Sequence, residues 1–254
     1  MSKNQKSKLT IIGSSALFPL PRTKTNVFAD YLDIENYEKH FTLHDDPICN
    51  SAKNGGPDRR TRSSLALCVD DEVILFDAGP DIRYQLNKYH FSPTAVCVTH
   101  DHSDACYGLR YLPDVTVYRE SAKNIEPGVS FFLGEVTVTP FRVEHSTTVS
   151  CVGYRVEVSG KKIAYFTDIK SMNGIQKYIQ DCDIIFPDGS ILERDLPSHL
   201  SMVNQLKFYK EWGIKKVIFT HIGHSTLQHE ELRKYLQARY QYADVAYDGM
   251  EIEF

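Results

Sequence analysis

Apolar and polar positions along the chain fall into short blocks whose period switches repeatedly between that of a strand and that of a helix. Lys8–Ile12 is β-like and ends in Gly13-Ser14-Ser15. Leu65–Val69 and Val73–Phe76 flank Asp70-Asp71 and predict a hairpin, followed by a helix over Pro80–Tyr89. Ala95–Thr99 predicts a buried strand, and the spacing of Ala105, Leu109 and Leu112 predicts a helix over Ser103–Leu112. Further strands are expected at Val115–Tyr118, Val136–Phe141, Val152–Val158 and Lys162–Phe166. Helices over Met172–Gln180 and Met202–Trp212 then precede strands at Ile184–Phe186 and Val217–Thr220, and a last helix over Glu230–Tyr240 precedes Val245.

Strand-rich segments in both halves, each followed by helices, suit an α/β protein of two sheets packed face to face with helices outside. We expect one domain over residues 1–254, with an irregular insertion at about 17–62 where prolines and mixed charge interrupt every pattern. Any linker would fall in Pro47–Arg62, around Gly55-Gly56-Pro57.

A chain of 254 residues that is 42% hydrophobic can bury one large core, and its net charge of −4 argues against bulk binding to nucleic acid or anionic membrane. A small-molecule partner is expected, and a homodimer is compatible with the sequence. No apolar stretch of signal length follows Met1–Lys8, and the six cysteines lack CxxC spacing. A soluble protein of a reducing, cytoplasmic compartment is the expectation.

Candidate chemistry concentrates in Thr99-His-Asp-His-Ser-Asp104-Ala105, directly after an apolar strand. Alternate side chains of an extended segment point the same way, so His100 and His102 can converge on one cation while Asp104 reaches a second position as a helix begins. His145, Asp168 and His221 each stand at the carboxyl end of a further apolar strand. Singly each suits a structural role; jointly they point to a metal site.

These residues resemble the metallo-β-lactamase-fold hydrolases, whose hallmark is HxHxDH followed by a separated His, Asp and His. The sequence is most similar to the branch of the phosphoribosyl cyclic phosphodiesterases and the pyrroloquinoline quinone biosynthesis protein B. The supporting motifs are Ile11-Ile-Gly-Ser-Ser, Arg60-Thr-Arg-Ser-Ser, Leu75-Phe-Asp77-Ala-Gly, Glu144-His-Ser, Phe166-Thr-Asp, Thr220-His-Ile-Gly-His and Tyr247-Asp-Gly-Met-Glu-Ile. The resemblance implies a four-layer αββα sandwich and a catalytic centre of one or two Zn²⁺ or Mn²⁺ ions. In it His100, His102 and His145 hold one ion, Asp104 and His221 a second, and Asp168 bridges, with Asp77 as a supporting carboxylate. Ala105 stands where the family usually has its third motif histidine, which leaves the second position one imidazole short.

Relatives often carry an N-terminal CxCxxC that binds a structural zinc with a late histidine. The aligned residues here are His44, Asp46 and Cys49, with His224 as a fourth ligand; an exposed acidic turn fits the same residues. His199 stands where the branch has a catalytic histidine, although a histidine beside a helix start also fits. Arg60 and Arg62 offer guanidinium forks for a phosphate, or partners for nearby carboxylates.

Two cations sharing Asp168 would supply hydroxide at neutral pH and polarise the phosphoryl oxygens of a small, cyclic or nucleotide-like phosphodiester. Asp104, Asp168 and His199 would then be the catalytic groups. The same centre suits a lactone or thioester, and Ala105 leaves room for a third reading, a ligand binder without turnover.

Overall fold

The computed structural model describes residues 7–24 and 42–254, so part of the expected insertion, residues 25–41, lies outside the described residues. One sheet contains β1 (Ser7–Gly13), β2 (Ser64–Val69), β3 (Glu72–Phe76), β4 (Ala95–Cys97), β5 (Thr116–Tyr118) and the C-terminal β13 (Met250–Glu253), in the order β13-β1-β2-β3-β4-β5. The other contains β6 (Phe131–Leu133), β7 (Val136–Val143), β8 (Cys151–Val158), β9 (Lys161–Phe166), β10 (Ile184–Pro187), β11 (Val217–Phe219) and β12 (Ala243–Val245), in the order β12-β11-β10-β9-β8-β7-β6.

Strand alternation makes the layers. In β2, Leu65, Leu67 and Val69 face the other sheet while Ala66 faces outward; in β9, Ile163 and Tyr165 face inward while Ala164 and Phe166 face outward. The inward set forms a core between the sheets that also holds Phe76, Tyr154 and Ile218. Outside the second sheet pack α5 (Met202–Glu211) and α6 (His229–Gln237), through Met202, Leu206, Tyr209, Leu232 and Leu236. Outside the first packs α2 (Ile82–Tyr89) through Ile82. This is the expected four-layer αββα sandwich. No helix among the described residues is long and apolar enough to cross a membrane.

Several elements depart from expectation. The helix over Ser103–Leu112 is a short α3 (Ser103–Cys106) that tightens to a 3₁₀ turn over Tyr107–Tyr111. Gly108 N–H donates to Ala78 O at 2.8 Å, and a Cβ on Gly108 would lie 2.2 Å from Gly79 O, so the backbones meet too closely for a regular helix to continue. Gly174, at φ 74°, confines the expected Met172–Gln180 helix to α4 (Gln176–Ile179). In the proposed linker region, α1 (Pro47–Lys53) buries Ile48, Cys49 and Ala52 against Leu20.

The parallel strands β3, β4, β9, β10 and β11 all point their carboxyl ends at one rim, where Asp77, His100, Asp168, Asp188 and His221 follow. Gly79 sets the depth of that rim, since a Cβ there would lie 2.1 Å from the carbonyl oxygen of Asp104. Gly79→Ala is expected to cost about 1–3 kcal/mol in urea unfolding, the range for overpacking a closed site. A variant as stable as the parent would contradict this packing.

Candidate metal centre

Three residues of the rim stand just past the strands that carry them. Asp77, Asp168 and His221 adopt left-handed backbone angles, φ 65°, 58° and 56°, a conformation that residues with side chains seldom adopt. Each turn stands where its strand has ended, at the rim. Such strain collects where the surrounding structure enforces it for function.

The six residues expected to bind metal meet at one place. His100, His102 and His145 form one cluster and Asp104, Asp168 and His221 another, each with ligand atoms within 4.8 Å of one another. Asp168 lies between them: its Oδ1 is 3.5 Å from His145 Nε2, and its Oδ2 is 3.4 Å from His221 Nε2 and 4.0 Å from His100 Nε2. All but His102 are buried.

Supporting bonds fix the rings. Ser198 O accepts from His145 Nδ1 at 2.9 Å, which leaves Nε2 as the lone-pair nitrogen facing Asp168. His100 Nδ1 meets Thr99 Oγ1 at 2.9 Å, and Thr99 donates from both its backbone N and Oγ1 to Asp77, at 2.8 and 2.9 Å. Burial pushes the Asp77 carboxyl up to about 7, against the bonds it accepts from Thr99 and Tyr165. Asp77 thus supports the histidine loop from beneath.

These residues fit a divalent metal. Within a site otherwise rich in hydrogen bonds, His100 Nε2 and Asp168 Oδ2 are buried without a partner, and a shared cation would satisfy both. Burial lowers the pKa of His100, favouring the neutral ring that a metal requires. Asp168 is held well below the usual carboxylate range: burial opposes its charge, but the imidazoles of His221, His100, His145 and His199 outweigh it. Four imidazoles and two carboxylates, with no thiolate, suit Zn²⁺ or Mn²⁺. Ala105 is buried, and its carbonyl accepts from Ala78 N at 2.7 Å.

His199 joins the site and brings a partner that sequence reasoning missed. Its Nδ1 lies 2.7 Å from Asp188 Oδ2 and its Nε2 4.0 Å from Asp168 Oδ1. Burial opposes the charged ring, yet the Asp188 hydrogen bond and the charges of Asp188, Asp168 and Asp104 carry its pKa up to about 9. Asp188 is fully buried and also accepts from the backbone of Ile169 and Ser190, at 3.1 and 2.8 Å. Its signal in the sequence was the one that marked Asp168, a carboxylate just past an apolar strand.

Two expectations fail here. Arg60 and Arg62 do not reach the site: both are buried and committed to the framework. Arg62 pairs with Asp81 at 2.7 Å, while Arg60 donates to Ser14 Oγ at 2.8 Å and to the carbonyl of Ala246. The second is the structural zinc set of His44, Asp46, Cys49 and His224, which is absent from the metal-type clusters among the described residues. Asp46 caps α1 by accepting from Cys49 N at 2.9 Å, and the His44 and His224 rings stand 5.9 Å apart. Arg22 occupies the space, with Nη1 3.0 Å from His224 Nε2 and its backbone N donating to Cys49 Sγ at 3.3 Å.

A cavity of about 590 Å³ opens on the cluster, lined among others by His102, Asp104, His145, Asp168, His199 and His221.

Known proteins share this arrangement of elements. The Beta-lactamase superfamily domain family matches residues 113–222. The crystal structure of a new diphosphatase from the PhnP family aligns with a TM-score of 0.77 at 24% identity, covering 98% of this chain and 97% of that one. Zn²⁺-bound PqqB from Methylobacterium extorquens gives the same TM-score of 0.77 at 20% identity, over 97% and 100% of the two chains. A Porphyromonas gingivalis protein named Octanoyltransferase is 26% identical over 229 residues, which is 76% of this chain but 45% of that protein. The chain therefore spans less than half the length of that curated relative. Its sheets, the rim on which they gather the histidines and carboxylates, and the matched segment make this chain a protein of the metallo-β-lactamase fold.

Proposed function

We propose that the chain is a metal-dependent hydrolase of small phosphodiesters. The observation that carries this reading is the position of Asp168, between two ligand clusters and 4.0 Å from the ring of His199. The PhnP-family structure described as a diphosphatase lends support from outside the chain.

His100, His102 and His145 would hold one cation, Asp104 and His221 a second, and Asp168 would reach both. Bound there, divalent cations supply Lewis-acid polarisation and a water of lowered pKa. The protein does the rest. Thr99 and Asp77 hold the ring of His100, and the carbonyl of Ser198 holds that of His145. With Nδ1 committed to Asp188, His199 keeps Nε2–H for the cavity, where it can donate a proton to the departing oxygen. Asp188 is a positioning residue that keeps this acid charged at neutral pH.

A second reading, hydrolysis of a lactone or thioester, draws on the relative named Octanoyltransferase and on the apolar Ala16, Leu17 and Pro197 along the cavity. Assaying bis(p-nitrophenyl) phosphate, a cyclic nucleotide and an acyl thioester side by side, with added Zn²⁺ or Mn²⁺, separates the two. The first reading expects turnover of the phosphodiesters above the thioester; the reverse order would overturn it.

His100→Ala and Asp168→Ala are each expected to lower kcat/KM by at least about 100-fold, since losing even a group that supports a ligand costs 10–100-fold. Full activity with full metal content in His100→Ala would refute the assignment.

As the acid form of His199 is the working form, activity should fall as pH rises through its pKa, which Asp188 raises. Asp188→Asn should move this alkaline limb of the kcat profile down by about one to two pH units. An unmoved limb would show that His199 is not the acid.

A further inference from the structure

The cavity beside the metal centre contains a cation that the hydrolytic reading does not use. Lys170 is the sole lysine or arginine in its lining. It is half-buried, and its ammonium has no hydrogen bond or ion pair among the described residues. Other half-buried cations of the chain are matched: Arg119 with Asp101, and Arg155 with Glu157 and Asp181. An ammonium without a counter-charge gains from an anion brought to it.

Its place is rigid. Lys170 N–H donates to Glu144 O at 2.8 Å and the next residue, Ser171, bridges to Glu144, which fixes this backbone beside the loop that carries His145. Ser146 and Thr147 of that loop line the same cavity. Ser190 also lines it, and its hydroxyl is buried without a hydrogen-bond partner although the residue is only 7% exposed. Lys170 and Ser190 thus line one open cavity, together with further serine and threonine residues.

We propose that Lys170 is the specificity-determining residue of this site, the seat for a second anionic group that the substrate carries beside the one hydrolysed. This rests on the hydrolase reading and narrows its substrate class to small molecules with two separated anions, of a size that about 590 Å³ admits.

The test is calorimetric binding to the Zn²⁺-loaded protein of two phosphonates that differ only at the far end, propylphosphonate and 2-carboxyethylphosphonate. The carboxylate should tighten binding about tenfold in the parent protein, the effect of one charge-assisted contact. Lys170→Met should bring the ratio close to one, and Lys170→Arg should retain most of it. Equal binding of the two ligands by the parent would overturn the proposal. So would a preference that persists undiminished in Lys170→Met, because chelation by the metals alone would then account for it. Turnover is scored separately: a protein that keeps the Lys170-dependent preference yet cleaves no phosphodiester would retain this anion seat and lose the proposed reaction.

Discussion

A single buried carboxylate organises the site. Asp168 is only 4% exposed, yet four imidazoles hold it ionised. An isolated charge at such a depth costs several kcal/mol, so the surrounding histidines and the strands that carry them form a cage around a charge that needs cations. Electrostatics and geometry agree here: Asp168 touches both ligand clusters and is also near the ring of His199.

The fold is arranged to make that convergence unavoidable. Parallel strands from both sheets end at the same rim, and left-handed turns at Asp77, Asp168 and His221 direct the chain back over it. Beneath the clustered histidines and carboxylates lies a second layer, with Asp77 under Thr99, Ser198 behind His145 and Asp188 behind His199. The same close packing leaves Gly79 no room for a side chain beneath Asp104.

The strands and the clustered histidines and carboxylates were legible because their signals are local. Spacing two after an apolar strand exposes His100 and His102, and apolar strands ending in His145, Asp168 and His221 repeat the pattern. Where the outcome depended on tertiary contact, the sequence was a poorer guide. Arg60 and Arg62 look like phosphate forks until Asp81, Ser14 and Ala246 arrive from distant segments to claim them. His44, Asp46, Cys49 and His224 keep a zinc-like spacing, but only the fold reveals Arg22 inserted at His224. The short β6 and β13 escaped notice because three or four residues carry too little periodicity to stand out. Asp188 could have been found by applying to β10 the rule that found Asp168.

The central claim is that one rim of this sandwich binds two divalent cations through six side chains. Anomalous diffraction from crystals grown with Zn²⁺ tests it most directly. The account predicts two peaks, one within ligand reach of His100, His102 and His145, the other of Asp104 and His221, with Asp168 between them. A single peak elsewhere in the molecule, or none at this rim with zinc in excess, would contradict it.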